Sequence, residues 1–233
     1  WSKFNRDEEF QKSDRNAVVY LNEELAVPYP IENHIYKCDA EFQKSVIKDL
    51  LDITAGEKRE PENFEEFLMQ RFGKSLYELY FKPYNEKVWK RDLKKVPLSW
   101  LEGKLPMPTV NEIMFNNINK VKEKEFVHST FWYEKKNGSQ YIADKFAESI
   151  DIEYNHEITD IKHIDGKWCI GSETFDIVVF CGNIKELPAM LNEEILSKHR
   201  EEIDNLEYHG TTSVFCHIKK NPYSWIYMPS NIH

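Results

Sequence analysis

Glycine is scarce in this sequence, with 8 glycines among 233 residues, about half the usual frequency of roughly 7%. None of the eight belongs to a G-x-G-x-x-G or a G-x-x-x-x-G-K-[ST] motif, the two loops that hold nucleotide phosphates in many folds. The sequence therefore contains no recognisable nucleotide-binding loop of its own.

Paired cysteines, paired histidines and long apolar runs are also missing. The four cysteines are far apart and form no C-x-x-C motif, which is typical of reduced thiols in a cytoplasmic protein. The eight histidines include no H-x-x-x-H pair, so no metal site is predicted. No stretch approaches the ~18 apolar residues that a membrane helix needs, so no membrane span is predicted either.

Positive charge is in deficit, because 31 Lys and Arg residues face 40 Asp and Glu residues and give a net charge of −9. This balance argues against a general nucleic-acid-binding protein, which would present a basic face. It does not exclude a small anionic ligand, because local charge can oppose net charge.

The first half of the chain predicts mainly helices. Residues 1–15 are highly charged and predict a surface lead-in, and residues 17–27 predict a small hairpin. Asp39 and Asn63 each precede apolar residues at helical spacing, so both are predicted to cap helices. The prolines between residues 83 and 108 predict short helices and loops.

The second half is richer in strand signals. Asp165–Gly166 lies between two β-prone runs and predicts a hairpin. The apolar run 175–181 predicts a strand buried on both faces, and residues 213–218 and 225–228 predict two more strands. Helices followed by strands in this way predict the α+β class.

The most distinctive segment is Ser75–Trp89, which reads SLYELYFKPYNEKVW. It resembles a stretch of the UDP-galactopyranose mutases and of related flavoproteins in the amine-oxidase and protoporphyrinogen-oxidase superfamily. The resemblance spans residues 28–229. Other segments resemble motifs of these flavoproteins in the same order: Tyr29–Asn33, Val96–Pro97, Lys104–Pro106, Lys136–Ile142, Asp176–Ile184, Leu206–His209 and Trp225–Pro229.

The resemblance implies the central region of an FAD-dependent enzyme. We expect a lead-in and hairpin at 1–38, a helical substrate domain at 39–124, and a β-rich part at 125–233 that belongs to an incomplete, Rossmann-like FAD-binding domain. Such proteins bind FAD through an N-terminal G-x-G-x-x-G unit and a C-terminal segment. Since the sequence has no such unit and no initial methionine, we expect an excised piece that is inactive and binds no FAD on its own.

Three functions stay open. The mutases imply isomerisation of a nucleotide-sugar in surface-polysaccharide synthesis, with the flavin carrying the chemistry. The oxidases imply flavin oxidation of an amine or a porphyrinogen, and Pro108 and His209 favour them because the mutases carry arginines at these positions. The third alternative is a standalone ligand-binding module without flavin. A sheet edge left open beside the strand ending at Cys181 also predicts a homodimer.

The resemblance further implies the site residues, and flavin chemistry leaves no catalytic side chain to name. Tyr84 or Trp89 would stack on a base and Lys87 would neutralise a phosphate, although both rings could equally be core residues. The residues expected at the small-molecule substrate are Tyr29, Asn33, Tyr84, Lys87, Trp89, Lys104 and His209. The residues expected beside FAD are Ile158, Cys181, Gly182 and Asn183.

Overall fold

The computed structural model describes residues 4, 6–57, 59–101, 107–122, 130–191 and 194–229. The chain forms two compact units, the first made of Trp1–Ile142 with Cys216–His233 and the second of Ala143–Phe215. None of the described helices is long and apolar enough to cross a membrane.

Helices and short strands share the described residues. The helices are α1 (Arg6–Glu9), α2 (Ala40–Ala55), α3 (Phe64–Phe72), α4 (Lys74–Leu76), α5 (Lys82–Trp89), α6 (Val110–Asn119), α7 (Gln140–Ala147), α8 (Leu187–Met190), α9 (Glu194–Ser197) and α10 (Arg200–Asp204). The strands are β1 (Phe10–Asp14), β2 (Ala17–Tyr20), β3 (Ala26–Pro28), β4 (Thr130–Glu134), β5 (Ile161–Ile164), β6 (Lys167–Ile170), β7 (Glu173–Phe175) and β8 (Trp225–Tyr227). This mixture confirms the predicted α+β class.

The described strands pair in three small sheets. In the first unit, β1 and β4 are antiparallel, and β2 lies between antiparallel β3 and parallel β8. In the second unit, β5, β6 and β7 form an antiparallel meander. The turn between β5 and β6 contains Asp165 and Gly166, both at positive φ, so the predicted hairpin is confirmed.

The hairpin of β2 and β3 is confirmed as well. The Asn22 side chain accepts hydrogen bonds from the backbone N–H groups of Glu24 and Leu25 and closes the turn. The Asn16 side chain donates to the carbonyl of Pro222 at 2.7 Å, and the Ser224 N–H donates to the Asn16 carbonyl at 2.9 Å. These bonds hold β8 beside β2, although more than two hundred residues separate them in sequence.

The helical core lies in the first unit. The predicted N-terminal caps of its helices α2 and α3 are both confirmed. The Asp39 carboxylate accepts a hydrogen bond from the Phe42 N–H at 2.9 Å, and the Asn63 side chain accepts one from the Glu66 N–H at 3.0 Å. Gly73 ends α3 at φ 85°, and a Cβ there would lie 2.5 Å from that of Asp49, so only glycine fits this crossing. The buried apolar residues include Val19, Val27, Ile31, Val46, Leu50, Phe64, Leu68, Leu76 and Ile113.

Pro83 lies inside a helix. The chain is helical from α4 through a π-helical turn at Tyr77–Phe81 into α5, so Pro83, the second residue of α5, lies within a continuous helical segment and removes one backbone N–H donor from it. Short 3-10 helices follow at Leu93–Lys95 and Leu98–Leu101. The predicted short helices and loops after residue 83 are therefore found in the described part of this segment.

Strand β1 was not predicted, and the prediction of a buried strand at 175–181 is wrong. Residues 10–14 form strand β1, which the prediction of a surface lead-in did not include: Phe10 is 3% exposed and packs on the rings of Phe4 and Tyr141, whereas Gln11, Lys12 and Asp14 are exposed. Residues 176–181 form no strand buried on both faces, since Ile177 is 79% exposed. A strand is buried on both faces only when it belongs to a sheet whose two faces are covered by other elements, and residues 176–181 join no sheet in the described part of the chain.

Residues 213–218 are also not a strand, and Phe215 is 98% exposed. The predicted strand at 225–228 is confirmed as β8. The second unit buries few apolar side chains, among them Ile161, whose strand forms a bridge to Leu191. The three-part division at residues 38 and 124 stays a prediction.

Candidate substrate-binding site

Four tyrosines of the first unit meet face to face or edge to face. The rings of Tyr29 and Tyr227 stack at 4.7 Å and 15°, and that of Tyr84 meets Tyr227 edge-on at 5.5 Å. The Tyr80 ring stacks on Tyr84 at 5.5 Å and 13°. We call Tyr29, Tyr80, Tyr84 and Tyr227 the tyrosine cluster.

The cluster forms because the ends of two strands meet one face of a helix. Tyr29 directly follows β3, and Tyr227 is the last residue of β8, so the sheet of β3, β2 and β8 carries both. Tyr80 and Tyr84 lie four residues apart on successive helical turns and therefore share one face. Tyr80 belongs to the π-helical turn, a rare element that often occurs at functional sites.

Arg15, in the link between β1 and β2, adds a positive charge to the cluster. Its guanidinium lies 4.6 Å from the centre of the Tyr29 ring, within cation–π distance. Its Nη2 donates a hydrogen bond to the Tyr227 hydroxyl at 2.7 Å. One arginine thus contacts both rings of the stacked pair.

A carboxyl group is buried next to the cluster. Glu32, in a 3-10 helix at Ile31–Asn33, is 6% exposed, and burial raises its pKa from the ordinary 4.5 to about 7. It interacts electrostatically with Tyr29 and Tyr80. A substantial share of Glu32 therefore carries a proton near neutral pH.

The phenols of Tyr29, Tyr80 and Tyr84 are neutral at ordinary pH. Burial, followed by the neighbouring phenols and Glu32, raises the pKa of Tyr29 well above its usual range. Burial is also the main cause that raises the pKa of Tyr80 and of Tyr84. Neutral hydroxyls can donate as well as accept hydrogen bonds, so the cluster offers polar donors beside aromatic faces.

The structure brings together only some of the residues predicted at the substrate. Tyr29 and Tyr84 meet through Tyr227, and the Lys87 Nζ, one turn after Tyr84, donates to the carbonyl of Met228 at 3.1 Å. Asn33 is buried, and its side-chain oxygen accepts a hydrogen bond from Asn116 at 3.1 Å.

Trp89 is half-buried against the helical core and ends α5. Five residues separate it from Tyr84, which at 3.6 residues per turn places the two side chains about 140° apart around the helix. The sequence interpretation had both rings on one surface, whereas the helix directs them to different sides. A role for Trp89 in base stacking stays a prediction.

The other predicted residues lie elsewhere. Lys104 is outside the described residues. His209 is exposed in the second unit, as are Cys181 and Asn183, whereas Ile158 is half-buried. Gly182 is crowded by its own neighbour, because a Cβ there would stand 2.8 Å from the ring of Phe180.

Sequence reasoning missed Arg15, Glu32, Tyr80 and Tyr227 as site residues. Tyr227 and Glu32 lie inside two of the segments that carry the family resemblance, so those segments were the available signal. Arg15 had no such signal, because its partner Tyr227 is 212 residues away in sequence.

The chemical groups of the tyrosine cluster indicate what kind of ligand would suit it. The described residues contain no group of three or more His, Cys, Asp or Glu side chains that could hold a metal ion. The cluster combines aromatic faces, neutral hydroxyls, one guanidinium and one carboxyl that titrates near neutrality. These groups suit a ligand that has a planar ring and an anionic part.

Comparison with known proteins shows the fold. No family model matches the sequence. A crystal structure of reduced UDP-galactopyranose mutase superposes with a TM-score of 0.77 and 20% identity, covering 96% of this chain and 52% of the mutase. A CLA-producing fatty acid isomerase from P. acnes matches with a TM-score of 0.45, 14% identity and 83% and 46% coverage, too low to carry an argument.

The chain thus has a fold like that of UDP-galactopyranose mutase, which bears out the family resemblance at the level of fold. It spans about half the length of the solved structures it matches.

Proposed function

We propose that this chain is the substrate-binding region of a flavin-dependent enzyme that acts on a nucleotide-sugar, as its resemblance to the mutases implies. The observation that carries the proposal is the tyrosine cluster. Tyr29, Tyr84 and Tyr227 come from three separate segments that resemble the mutases or related flavoproteins, and their rings meet at one point of a mutase-like fold.

Each group of the cluster has a role in this proposal. Tyr84, half-buried at the edge of the cluster, stacks on the base, and Lys87, on the same face of α5, neutralises a phosphate. Tyr29 and Tyr227 supply hydroxyl groups to the sugar or phosphate. The helical segment 39–124 is then the substrate domain, and the remaining predicted residues, Asn33, Trp89, Lys104 and His209, complete the pocket.

The residues of this chain supply only part of an FAD-binding site. Ile158, Cys181, Gly182 and Asn183 could supply backbone contacts, but the described residues include no glycine-rich loop at a helix start that would hold the pyrophosphate. When bound, flavin would supply the bond-making or hydride-accepting chemistry, and this chain's residues would bind and orient the substrate. We therefore expect this chain to be colourless when purified, and micromolar FAD binding by calorimetry would contradict this.

Calorimetric titration of UDP-galactose and of free galactose into the chain tests the proposal. We expect UDP-galactose to bind and galactose alone not to bind. Tyr84→Ala should weaken UDP-galactose binding about tenfold or more, because stacking of a base on an aromatic ring contributes roughly 1–3 kcal/mol. Tyr84→Phe keeps the ring and should retain most of the affinity.

Tyr133→Ala is the matched control, because Tyr133 is an exposed tyrosine of the same unit outside the cluster. Equal affinity in Tyr84→Ala and Tyr133→Ala, or no binding of UDP-galactose at all, would overturn the proposed function.

A further inference from the structure

Arg15 makes direct contact with two members of the tyrosine cluster. Its guanidinium lies over the Tyr29 ring and is hydrogen-bonded to the Tyr227 hydroxyl. The Asn16 side chain and backbone carbonyl next to it tie the same link to Pro222 and Ser224, just before β8. The arginine is thus oriented by contacts on both sides of the link between β1 and β2.

We propose that Arg15 and the Tyr227 hydroxyl form a subsite for a phosphoryl group of the ligand. This inference rests on the proposed function and names the residue that holds the anionic part of that ligand, which nothing in the sequence had indicated.

The guanidinium is suited to this task by its shape. It presents five N–H donors in a planar fork that matches the oxygen atoms of phosphate two at a time. The contacts with Tyr29 and Tyr227 restrict the arginine side chain, so less conformational entropy is lost when an anion binds. The Tyr227 hydroxyl beside it adds a further hydrogen-bonding group for the same anion.

The surrounding charge allows an anion to bind despite the net charge of −9. Among the described residues, Glu32 is the carboxyl group that interacts with Tyr29 and Tyr80, and burial raises its pKa to about 7. Below neutral pH it is mostly uncharged and does not repel an anion. Lys87, bonded to the carbonyl next to Tyr227, contributes another positive charge near the end of β8.

A phosphoryl group fits better than a carboxylate because of its shape and charge. The two oxygens of a carboxylate are both engaged when it pairs with the guanidinium fork, whereas a phosphoryl group keeps a further oxygen, outside that plane, for the phenol. The charge of a phosphate or diphosphate is also larger, which strengthens its attraction to the guanidinium.

Inorganic diphosphate is the probe, titrated into the intact chain at low ionic strength and slightly below neutral pH and followed by ³¹P NMR. We expect saturable binding that Arg15→Gln weakens at least tenfold, the loss typical of a charge-assisted contact. Arg15→Lys, which keeps the charge without the fork, should lie between. Arg59→Gln is the matched control, since the Arg59 side chain is exposed and forms a surface ion pair with Glu66.

A second variant keeps the test valid if Arg15→Gln does not fold. Tyr227→Phe retains the stacked ring and removes only the hydroxyl, and we expect it to weaken diphosphate binding with little change in melting temperature. Malonate, titrated in parallel, separates the two kinds of anion and should bind at least tenfold more weakly than diphosphate.

The inference is overturned if diphosphate does not bind, if Arg15→Gln and Arg59→Gln bind it equally, or if malonate binds as tightly. Its failure can be told apart from that of the proposed function. Binding of UDP-galactose that depends on Tyr84 but not on Arg15 would remove the subsite alone. Binding of diphosphate through Arg15 without any binding of UDP-galactose would remove the nucleotide-sugar proposal alone.

Discussion

The two units of this chain differ in how completely they bury their apolar residues. In the first unit, the helices α2 and α3 bury Val46, Leu50, Phe64 and Leu68 almost completely. In the second unit, Ile177, Val179, Val214 and Phe215 are exposed. Apolar composition alone therefore does not make a core, because burial also needs a facing element.

The same contrast separates the two sets of predicted site residues. The tyrosine cluster lies on two strand ends and a helix that pack against the core of the first unit. Cys181, Gly182 and Asn183 lie on exposed chain of the second unit. A binding site needs its side chains held in place by packing, so the first unit carries the better-built candidate site.

The largest expected effect tests the difference in apolar burial between the two units. Phe64→Ala, in the core of the first unit, should lower the free energy of unfolding by about 3–5 kcal/mol, because it leaves a cavity among buried neighbours. Val179→Ala, in the second unit, should change it by less than about 0.5 kcal/mol. Urea unfolding followed by circular dichroism measures both, and similar losses in the two variants would refute the contrast.

The buried carboxyl of Glu32 predicts a pH dependence. Its pKa is about 7 in the folded protein and 4.5 ordinarily, so between these values the folded state keeps a proton that the unfolded state has released. The free energy of unfolding should therefore fall as pH rises from about 4.5 to about 7, by on the order of 3 kcal/mol, and this contribution is constant outside that window.

Glu32→Gln, which cannot ionise, should abolish this loss. Urea unfolding at about pH 5 and about pH 8 should show a smaller difference for the variant than for the parent chain. The exposed Glu23, in the turn between β2 and β3, supplies the control variant Glu23→Gln. An unchanged pH dependence in Glu32→Gln would show that Glu32 is ionised without cost in the folded protein.

The helix cap at Asp39 predicts the smallest of these effects. Asp39→Ala removes the hydrogen bond to the Phe42 N–H and should cost about 1 kcal/mol of stability. Asp52→Ala, at the opposite end of the same helix, removes an exposed ion pair with Lys48 and an unfavourable charge near the helix C-terminus, so its effect should be close to zero. Equal losses of stability in Asp39→Ala and Asp52→Ala would contradict a stabilising role for the Asp39 cap.

Local signals explain which parts of the fold were predictable. Asp39, Asn63 and the turn at Asp165–Gly166 act through hydrogen bonds and dihedral angles within a few residues, and all three predictions hold. The prediction of a buried strand at 175–181 was wrong because a strand needs neighbours that its own sequence does not specify. Strand β1 was missed for the same reason, since its partner β4 lies more than a hundred residues away.

The candidate site shows the same limit. Tyr29 and Tyr84 were predicted from segments that resemble the mutases, and the structure joins them through Tyr227. Arg15 was predicted to lie in a charged lead-in, and only the pairing of β2 with β8 brings it to Tyr227. A contact formed across 212 residues leaves no periodicity or spacing for a single sequence to reveal.

The most direct test of the binding role of the tyrosine cluster is NMR of the chain with ¹³C-labelled tyrosine rings, titrated with UDP-galactose. The account predicts shift changes in the ring signals of Tyr29, Tyr84 and Tyr227, assigned by single Tyr→Phe variants, and none in the exposed Tyr133. Unchanged cluster signals at saturating ligand, or changes confined to tyrosines outside the cluster, would contradict it.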